Sequence, residues 1–372
     1  MANITRRAPR RVLVRGVNWL GDAVMTTPAL QRLRERFPGA TITLLTPEKL
    51  RDLWTAHPAV DELITFRPQD GVLTIAARLR REAFHLALVL PNSPRSALEP
   101  WLARIPWRVG YARSWRKFFL TDPLPARPKA VAMRKRTPRE IRALIDPDAL
   151  RRHRVPIPFN AHQVHEYLHL VDQLGGSPKL LAPELVVLPP ELVAVRQKFA
   201  LPEHAGPLVG LNPGAEYGPA KRWPVDRFIA AALAVQARYP VNWVLFGGPN
   251  DVATAGQIET ALRAAKAAVF NLAGRTTLRE LMAALKLCRV LLTNDTGPMH
   301  VAAALGTPVV VPFGSTAPEL TGPGLPADPR HRLIRSNVPC APCFLRECPI
   351  DLRCLHGIPV GQVAEYVLEL LA

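Results

Sequence analysis

The chain has 372 residues, of which 48% are hydrophobic and 21% are charged, a composition typical of folded globular proteins that excludes wholesale disorder. This length exceeds the usual size of one compact domain, so we expect two domains. The basic residues 1–11 lead into no apolar signal-peptide core, and no apolar run reaches the roughly 18–20 residues of a membrane-spanning helix. A cytoplasmic protein is therefore expected, able to touch a membrane from that side.

The net charge of +18 is unevenly distributed. Residues 1–180 carry 31 Lys+Arg and 15 Asp+Glu, a balance of +16, whereas residues 181–372 carry 17 and 15, a balance of +2. An excess confined to one half predicts an anionic partner for that half, and nucleic acid, an anionic membrane surface and a phosphorylated substrate all fit. The alternative is an Arg-rich composition that raises the isoelectric point everywhere, which the asymmetry disfavours.

The first half of the chain alternates short apolar strands with amphipathic helices. Strands are predicted at 11–15, 41–45 and 85–90, and a helix at 23–37. This alternation is typical of parallel βαβ units and predicts a Rossmann-like domain over residues 1–180.

A basic stretch interrupts this domain. Residues 113–154 carry 13 Lys+Arg and 4 Asp+Glu, with Trp115, Phe118 and Phe119 near the start. We expect a partly helical insertion or loop over a cleft. A helix is predicted at about 162–174, and the proline-rich residues 177–190 are the best linker candidate.

The alternation restarts in the second half, with strands at 208–211, 243–246, 289–292 and 308–311 and a helix at 225–238. We predict a second doubly wound domain over 181–357 and a C-terminal helix at 358–372 that packs back on the first domain. Two such domains in tandem predict an α/β fold of GT-B architecture, in which two Rossmann-like domains face a central cleft.

Two segments of the second domain combine a strand end with a helix start, where free N–H groups and the helix dipole attract anions. The first is 294–300 (NDTGPMH), in which Gly297 permits close backbone approach and Thr296 offers a hydroxyl. Its alternative is a plain helix start capped by Asp295, and spacing alone does not decide between the two. The second is the loop 213–224 (PGAEYGPAKRWP), whose Lys221 can neutralise a diphosphate leaving group.

Five stretches of the chain resemble the ADP-heptose:lipopolysaccharide heptosyltransferases, which form glycosyltransferase family 9, and within it the heptosyltransferase II branch. They are residues 12–36, 90–110, 212–224, 294–323 and 340–355. The stretches stand in the family's order and, with the pattern between them, cover nearly the whole chain. Residues 120–160 look longer and more basic than the family norm, which leaves the acceptor open.

The resemblance implies inverting transfer of L-glycero-D-manno-heptose from ADP-heptose to a phosphorylated lipopolysaccharide inner-core acceptor (heptose/Kdo-lipid A), with no cofactor needed for the chemistry. Asp22 would be the general base, with helix capping as the alternative, and Lys221 would bind the leaving-group phosphate. The donor would also contact Asp295, Thr296, Gly297 and His300, the adenine-contacting Thr276, Thr277 and Leu278, and Asp251 at the ribose. Candidate acceptor residues are Asn18, Arg113, Arg116 and Lys117.

The implied partners are the ADP-sugar, the anionic glycolipid and the cytoplasmic surface of the inner membrane, with no nucleic acid expected. Two other functions remain open. One is transfer of another nucleotide-linked sugar to a different glycolipid or protein. The other is a non-catalytic module on the same fold that binds nucleic acid or a membrane surface through residues 113–154.

Four of the five cysteines lie within one short stretch, at Cys340, Cys343, Cys348 and Cys354. In a cytosolic protein such a cluster favours a structural zinc or iron site over disulfides. The alternative is a set of reduced structural thiols.

Overall fold

The computed structural model describes residues 8–128, 130–145 and 156–372. Part of the predicted basic insertion, Lys129 and residues 146–154, thus lies outside the described residues. The chain divides into two units, one formed by Met1–Ala130 with Gln163–Val186 and the other by Val131–His162 with Val187–Ala372.

Strands and helices alternate along the described residues. The strands are β1 (Arg11–Arg15), β2 (Thr41–Pro47), β3 (Glu62–Phe66), β4 (Leu86–Val89), β5 (Trp107–Tyr111), β6 (Asp122–Leu124), β7 (Leu208–Asn212), β8 (Asn242–Leu245), β9 (Ala268–Asn271), β10 (Val290–Thr293), β11 (Val309–Phe313) and β12 (Arg332–Arg335). The helices are α1 (Leu20–Met25), α2 (Thr27–Arg36), α3 (Val72–Arg81), α4 (Pro94–Leu102), α5 (Pro138–Leu144), α6 (Val164–Asp172), α7 (Pro189–Phe199), α8 (Val225–Arg238), α9 (Val252–Ala264), α10 (Leu278–Leu287), α11 (Gly297–Ala304), α12 (Pro318–Thr321), α13 (Arg353–His356) and α14 (Val360–Leu371).

Each unit contains one six-stranded parallel sheet. The first has the order β3-β2-β1-β4-β5-β6 and the second the order β12-β11-β10-β7-β8-β9. Both are the doubly wound order, in which the strand sequence reverses between two neighbouring central strands. These are β1 and β4 in the first sheet and β7 and β10 in the second. Ligands of such sheets bind at the carboxyl ends of the strands beside this switch point.

The central strands are buried on both faces, which explains their continuous apolar runs. In β1, Val12, Leu13 and Val14 have no exposed surface, and Val14 pairs with Leu44 on one side and Leu88 on the other. The α/β class, the doubly wound order and the helix at 225–238 agree with the expectations from the sequence. The helix expected at 23–37 is divided at Thr26, since Pro28 in the first turn of α2 has no N–H to continue the ladder of α1.

The basic stretch does not form one insertion in the first unit. Val131–His162 groups with the second unit, where the backbone N–H of Arg136 donates to the Cys343 carbonyl at 3.0 Å. Ile141, the buried residue of α5, packs against Cys340 and Cys343. The contacts of Ile141 with Cys340 and Cys343 therefore attach this part of the chain to the second unit. Charge composition does not reveal such long-range apolar contacts.

The C-terminal helix also differs from expectation. Helix α14 packs on α8, and its buried residues Val363, Ala364, Val367 and Leu371 belong to the core of the second unit. Its apolar face is therefore used within that unit and not, as the sequence had suggested, on the first domain.

Candidate active site

The switch point of the second sheet brings two loops together. Strands β7 and β10 are neighbours with Asn212 opposite Thr293, and the loops that follow them contain Lys221 and Asp295. The buried amide of Asn294 connects the loops, accepting from the Trp223 backbone N–H at 2.9 Å and donating to the Pro213 carbonyl at 2.7 Å. This buried amide fixes the spacing between the two loops.

An ion pair lies between these loops. The Lys221 ammonium is 2.6 Å from Asp295 Oδ2, and the side chains are 14% and 3% exposed. The Thr316 hydroxyl, from the segment after β11, donates to the same carboxylate oxygen. Three adjacent strands, β11, β10 and β7, thus place three polar groups together at one edge of the sheet.

Asp295 does not act as the helix cap that the sequence left as an alternative. The N-cap of α11 is Thr296, which makes no side-chain capping bond, and the Asp295 carboxylate is directed at Lys221 and Thr316. Gly297 is the first residue of α11, whose first-turn N–H groups give this end of the helix a positive potential.

His300 lies one turn into α11 and is buried. Burial lowers the pKa of its imidazole to about 4, although the nearby Asp295 charge acts in the opposite direction. The side chain is therefore neutral at pH 7 and contributes a hydrogen-bonding imidazole beside the ion pair, not a third charge.

A tyrosine and an arginine that the sequence reasoning missed complete the surroundings of Lys221. The Tyr217 ring centre is 5.0 Å from Lys221 Nζ and 5.3 Å from the Arg346 guanidinium carbon, and its hydroxyl donates to the Phe344 carbonyl at 2.7 Å. Gly218, at φ 149°, allows this approach, because a Cβ there would lie 2.6 Å from the Arg346 carbonyl oxygen. Tyr217 stood within the loop already singled out, whereas Thr316 and Arg346 lay in family-like stretches in which neither residue was singled out.

The remaining donor candidates lie along the same edge of the sheet. Asp251 follows β8, accepts from the Gly248 N–H at 2.9 Å, and packs on Gly214, where a Cβ would be 2.3 Å from the carboxylate. Thr276, Thr277 and Leu278 stand where β9 gives way to α10. The Thr277 hydroxyl caps α10 by accepting from the Glu280 N–H at 3.3 Å, which leaves its proton and its second lone pair for other partners.

In the first unit, Asp22 is the third residue of α1, whose N-cap is Trp19. It is half-buried. The pKa of the nearby Tyr167 is raised well above its ordinary value, first by burial and second by the charge of Asp22. Tyr167 therefore stays a neutral phenol close to the carboxylate, and its hydroxyl accepts from Gln163 Nε2 at 2.7 Å.

A buried ion pair supports the loop that leads to Asp22. Arg15, the last residue of β1, donates from Nε to Glu99 Oε2 at 2.7 Å, and the two side chains are 3% and 0% exposed. The Arg15 guanidinium also donates to the Gly16 carbonyl at 2.6 Å and to Asn18 Oδ1 at 3.4 Å. This pair anchors the turn between β1 and α1.

The four candidate acceptor residues differ in accessibility. Asn18, Arg113 and Lys117 are exposed, and Arg113 lies 4.0 Å from Glu166. Arg116 has no exposed surface, and its guanidinium donates to the Pro91 carbonyl at 2.5 Å and to Asn92 Oδ1 at 3.3 Å. Burial lowers its pKa to about 10. Arg116 thus holds the loop after β4, while the other three face solvent.

The four clustered cysteines line one cavity together with Ile141 and Ala220, and all are free thiols. Across residues 8–128, 130–145 and 156–372, no group of three or more His, Cys, Asp or Glu side chains is arranged to hold a metal ion. Burial raises the pKa of Cys340 and Cys343, and that of Cys354 to about 12, which favours protonated thiols. The described residues therefore show no ligand set for a metal, and the zinc or iron expected from the spacing stays a prediction.

Comparison with known proteins identifies the family. Residues 128–353 match the model described as glycosyltransferase family 9 (heptosyltransferase). The chain is 34% identical over 328 residues to lipopolysaccharide heptosyltransferase 2 of Salmonella typhimurium, covering 84% of this chain and 85% of that protein. The chain belongs to glycosyltransferase family 9. It is therefore a glycosyltransferase.

Solved structures agree with this assignment. The structure of the ADP-heptose lipopolysaccharide heptosyltransferase II of E. coli superimposes with a TM-score of 0.76 at 30% identity, covering 97% of this chain and 98% of that one. A family 9 glycosyltransferase from Veillonella parvula gives a TM-score of 0.78 at 23% identity, with 97% of each chain covered. The fold is thus the GT-B fold of heptosyltransferases. Among the described residues, no helix combines the length and apolarity needed to cross a membrane.

Proposed function

We propose that this glycosyltransferase transfers L-glycero-D-manno-heptose from ADP-heptose to a phosphorylated inner-core sugar of lipopolysaccharide, with inversion at the anomeric carbon. The observation that carries the proposal is the Lys221–Asp295 pair at the switch point of the second sheet, joined by Thr316. A cation held at this edge, beside the N-terminus of α11, suits a diphosphate. The named heptosyltransferase relatives supply the sugar and the acceptor class.

The donor binds the second unit in this proposal. Asp251 holds the ribose hydroxyls, and Thr276, Thr277 and Leu278 contact the adenine. The diphosphate lies at the start of α11 beside Thr296 and Gly297, where Lys221 exchanges its contact with Asp295 for the phosphate oxygens. Asp295 and neutral His300 then hydrogen-bond the heptose hydroxyls.

Transfer is a single displacement. The acceptor oxygen attacks the anomeric carbon and forms the new glycosidic bond, while the proton of that hydroxyl goes to the Asp22 carboxylate. The bond from the anomeric carbon to the diphosphate breaks, and its electron pair leaves with ADP. The Lys221 ammonium stabilises the charge that develops there, which is the main electrostatic demand of the step.

The acceptor binds the first unit. Exposed Asn18, Arg113 and Lys117 are the proposed contacts, and the +16 balance of residues 1–180 matches a phosphorylated glycolipid. Arg116 acts from below by holding the loop after β4. We place the protein on the cytoplasmic face of the inner membrane, where such an acceptor is presented. No step of this mechanism involves a metal at the cysteines, and metal analysis of the purified chain tests that site separately.

The donor is tested by nucleotide-dependent thermal stability. ADP should raise the unfolding temperature, because a ligand at one hundred times its Kd stabilises the native state by about 2.7 kcal/mol. UDP, GDP and CDP should not raise it, since the proposed site binds adenine. Stabilisation by UDP alone would indicate a different sugar donor. Stabilisation by short RNA and by no nucleotide would contradict the transferase proposal.

The acceptor and stereochemistry need a turnover assay. Incubation with ADP-heptose and purified inner-core acceptor should release ADP, and the anomeric configuration of the product should be opposite to that of the donor. Enzymatically dephosphorylated acceptor is the matched control and should react more slowly, because it removes the charge that the basic half is proposed to bind.

A further inference from the structure

A cluster of aromatic side chains lies on the surface of the first unit. Trp101 at the end of α4 and Trp115 both contact Phe119, with ring centres 5.4 and 5.5 Å apart. Phe118 follows on the same turn, Ser114–Phe119. The exposed fractions are 43% for Trp101, 57% for Trp115 and 71% for Phe118. We call Trp101, Trp115, Phe118 and Phe119 the aromatic surface.

The backbone beneath this surface is firmly held. Leu120 is buried against Val89 and Ala97, and half-buried Phe119 packs on that cluster. The Arg108 guanidinium donates to the Phe119 carbonyl at 2.7 Å. The turn is therefore anchored from inside, and the exposure of Trp115 and Phe118 follows from its geometry.

The segment that carries these rings is rich in cations. Residues 101–121 contain five Lys+Arg and no Asp or Glu. Three of the five, Arg104, Arg113 and Lys117, are exposed, and the Lys117 ammonium lies 5.3 Å from the Phe118 ring centre. Of these, Arg113 also lies 4.0 Å from Glu166, whereas Lys117 faces an aromatic ring. Large aromatic rings beside cations are what the headgroup region of an anionic bilayer attracts, since the rings enter the interface while the ammonium groups remain at the phosphates.

We infer that the aromatic surface docks this protein on the headgroup layer of an anionic phospholipid bilayer. Trp115 and Phe118 insert, and exposed Arg104 contacts lipid phosphates, while Lys117 beside Phe118 stays a proposed acceptor contact. Arg113, a proposed acceptor contact, begins the same turn, so docking brings the acceptor-binding edge to the lipid. That last step rests on the proposed function, whereas the docking itself rests on the surface alone.

The test is co-sedimentation of the full chain with vesicles. Binding is expected with vesicles that contain about 30% phosphatidylglycerol and little binding with pure phosphatidylcholine, because the cations need anionic headgroups. The double variant Trp115→Ala/Phe118→Ala should bind the anionic vesicles at least about tenfold more weakly, since both inserting rings are lost. Arg104→Glu should weaken binding as well and make it less dependent on salt.

The matched control is Leu73→Ala. Leu73 is 73% exposed on α3 of the same unit and lies outside the aromatic surface, so its loss should leave vesicle binding unchanged. All variants remove exposed atoms, and their unfolding temperatures should equal that of the unchanged chain. Equal vesicle binding by the double variant and the unchanged chain would overturn the inference. It would also be overturned if the unchanged chain bound short RNA but no vesicles and the double variant lost the RNA binding.

A turnover assay separates this inference from the proposed function. The double variant should turn over detergent-dispersed acceptor at the normal rate and acceptor embedded in anionic vesicles more slowly. If the unchanged chain binds vesicles but transfers heptose to neither form, the proposed function fails and the docking surface stands. If transfer proceeds in both forms and is insensitive to the double variant, the docking surface fails and the function stands.

Discussion

The two sheets have the same strand order, but the charged pairs at their switch points are held differently. In the second unit, Lys221 keeps 14% of its side chain exposed and faces Asp295 at the open edge of the sheet. In the first unit, Arg15 and Glu99 are 3% and 0% exposed, and Arg15 also lies over the Phe66 ring at 4.4 Å. In the mechanism that we propose, the more accessible pair exchanges partners with a ligand. The enclosed pair cannot, and instead supports a turn that leaves Asp22 half-buried.

The difference suggests a division of labour between the units. Both sheets have the same strand order and therefore the same kind of switch point at the carboxyl ends of their strands. The chemistry at each switch point depends on which charged groups are accessible there. In the second unit Lys221 is the proposed binding group for the diphosphate. In the first unit the half-buried Asp22 follows a turn that the Arg15–Glu99 pair anchors. Each of the following substitutions acts on one side of this comparison.

The largest effect is expected at Asp22. Asp22→Asn removes the proposed base and should lower kcat about 10³-fold, within the range of general base catalysis. ADP affinity should be unchanged, because the donor binds the other unit. Glu35→Gln, an exposed change on α2 of the same unit, is the control and should leave kcat intact. A parallel loss of ADP binding in Asp22→Asn would place Asp22 on the donor side.

The enclosed pair of the first unit should affect stability more than chemistry. Glu99→Gln leaves the Arg15 guanidinium buried without its counter-charge, and we expect a loss of about 3–5 kcal/mol in the free energy of unfolding. Glu62→Gln, which breaks an exposed contact with Arg11, should cost less than about 1 kcal/mol. Denaturant unfolding measures both variants. Equal costs would show that burial does not distinguish the pairs.

The accessible pair should affect both quantities. Lys221→Met should lower kcat about 100-fold by removing the leaving-group cation, and should destabilise the fold because Asp295 is left 3% exposed without it. Adding Asp295→Asn should restore stability without restoring kcat, since the uncompensated charge is gone but the cation is still missing. A double variant less stable than Lys221→Met would show that Thr316 alone satisfies the carboxylate.

The sequence predicted the repeating elements and the segments that carry Asp22, Lys221 and Asp295, because strand–turn–helix patterns are local. The sequence did not predict the side chains that contact these residues. Thr316 lies 21 residues after Asp295, and Glu99 lies 84 residues after Arg15. Pairs at such separations depend on strand order, which periodicity does not encode.

Predictions made from charge and spacing alone could not take account of burial. Arg116 was counted with the accessible cations of the basic stretch, but its guanidinium is enclosed and holds the loop after β4. At the cysteines, spacing likewise does not show that Ile141 packs against Cys340 and Cys343, and the metal expected there stays a prediction.

The smallest effect expected is a difference between the units on acidification. Burial lowers the pKa of His300 and His331 in the second unit to about 4, and that of His57 in the first unit to about 4. Above pH 6.5 these imidazoles are neutral in both folded and unfolded chains, and stability does not change. As the pH falls from 6.5 to 4, these histidines are protonated in the unfolded chain but not in the folded chain. Each of them therefore lowers the free energy of unfolding by roughly 1 kcal/mol per pH unit.

The second unit has two histidines with a pKa of about 4, and the first unit has one, with a smaller lowering at His165. The second unit should therefore lose stability faster between pH 6.5 and 4. Hydrogen exchange, corrected for the intrinsic pH dependence, should show protection falling further in β10 and β11 than in β1 and β2. His331→Gln should reduce that slope in the second unit by about one proton and leave the first unit's slope unchanged. An equal loss of protection in both sheets would mean that His300 or His331 is protonated in the folded state. If the protonated group were His300, the Lys221 site would carry a second cation on acidification, and its pairing with Asp295 would have to be explained with that charge included.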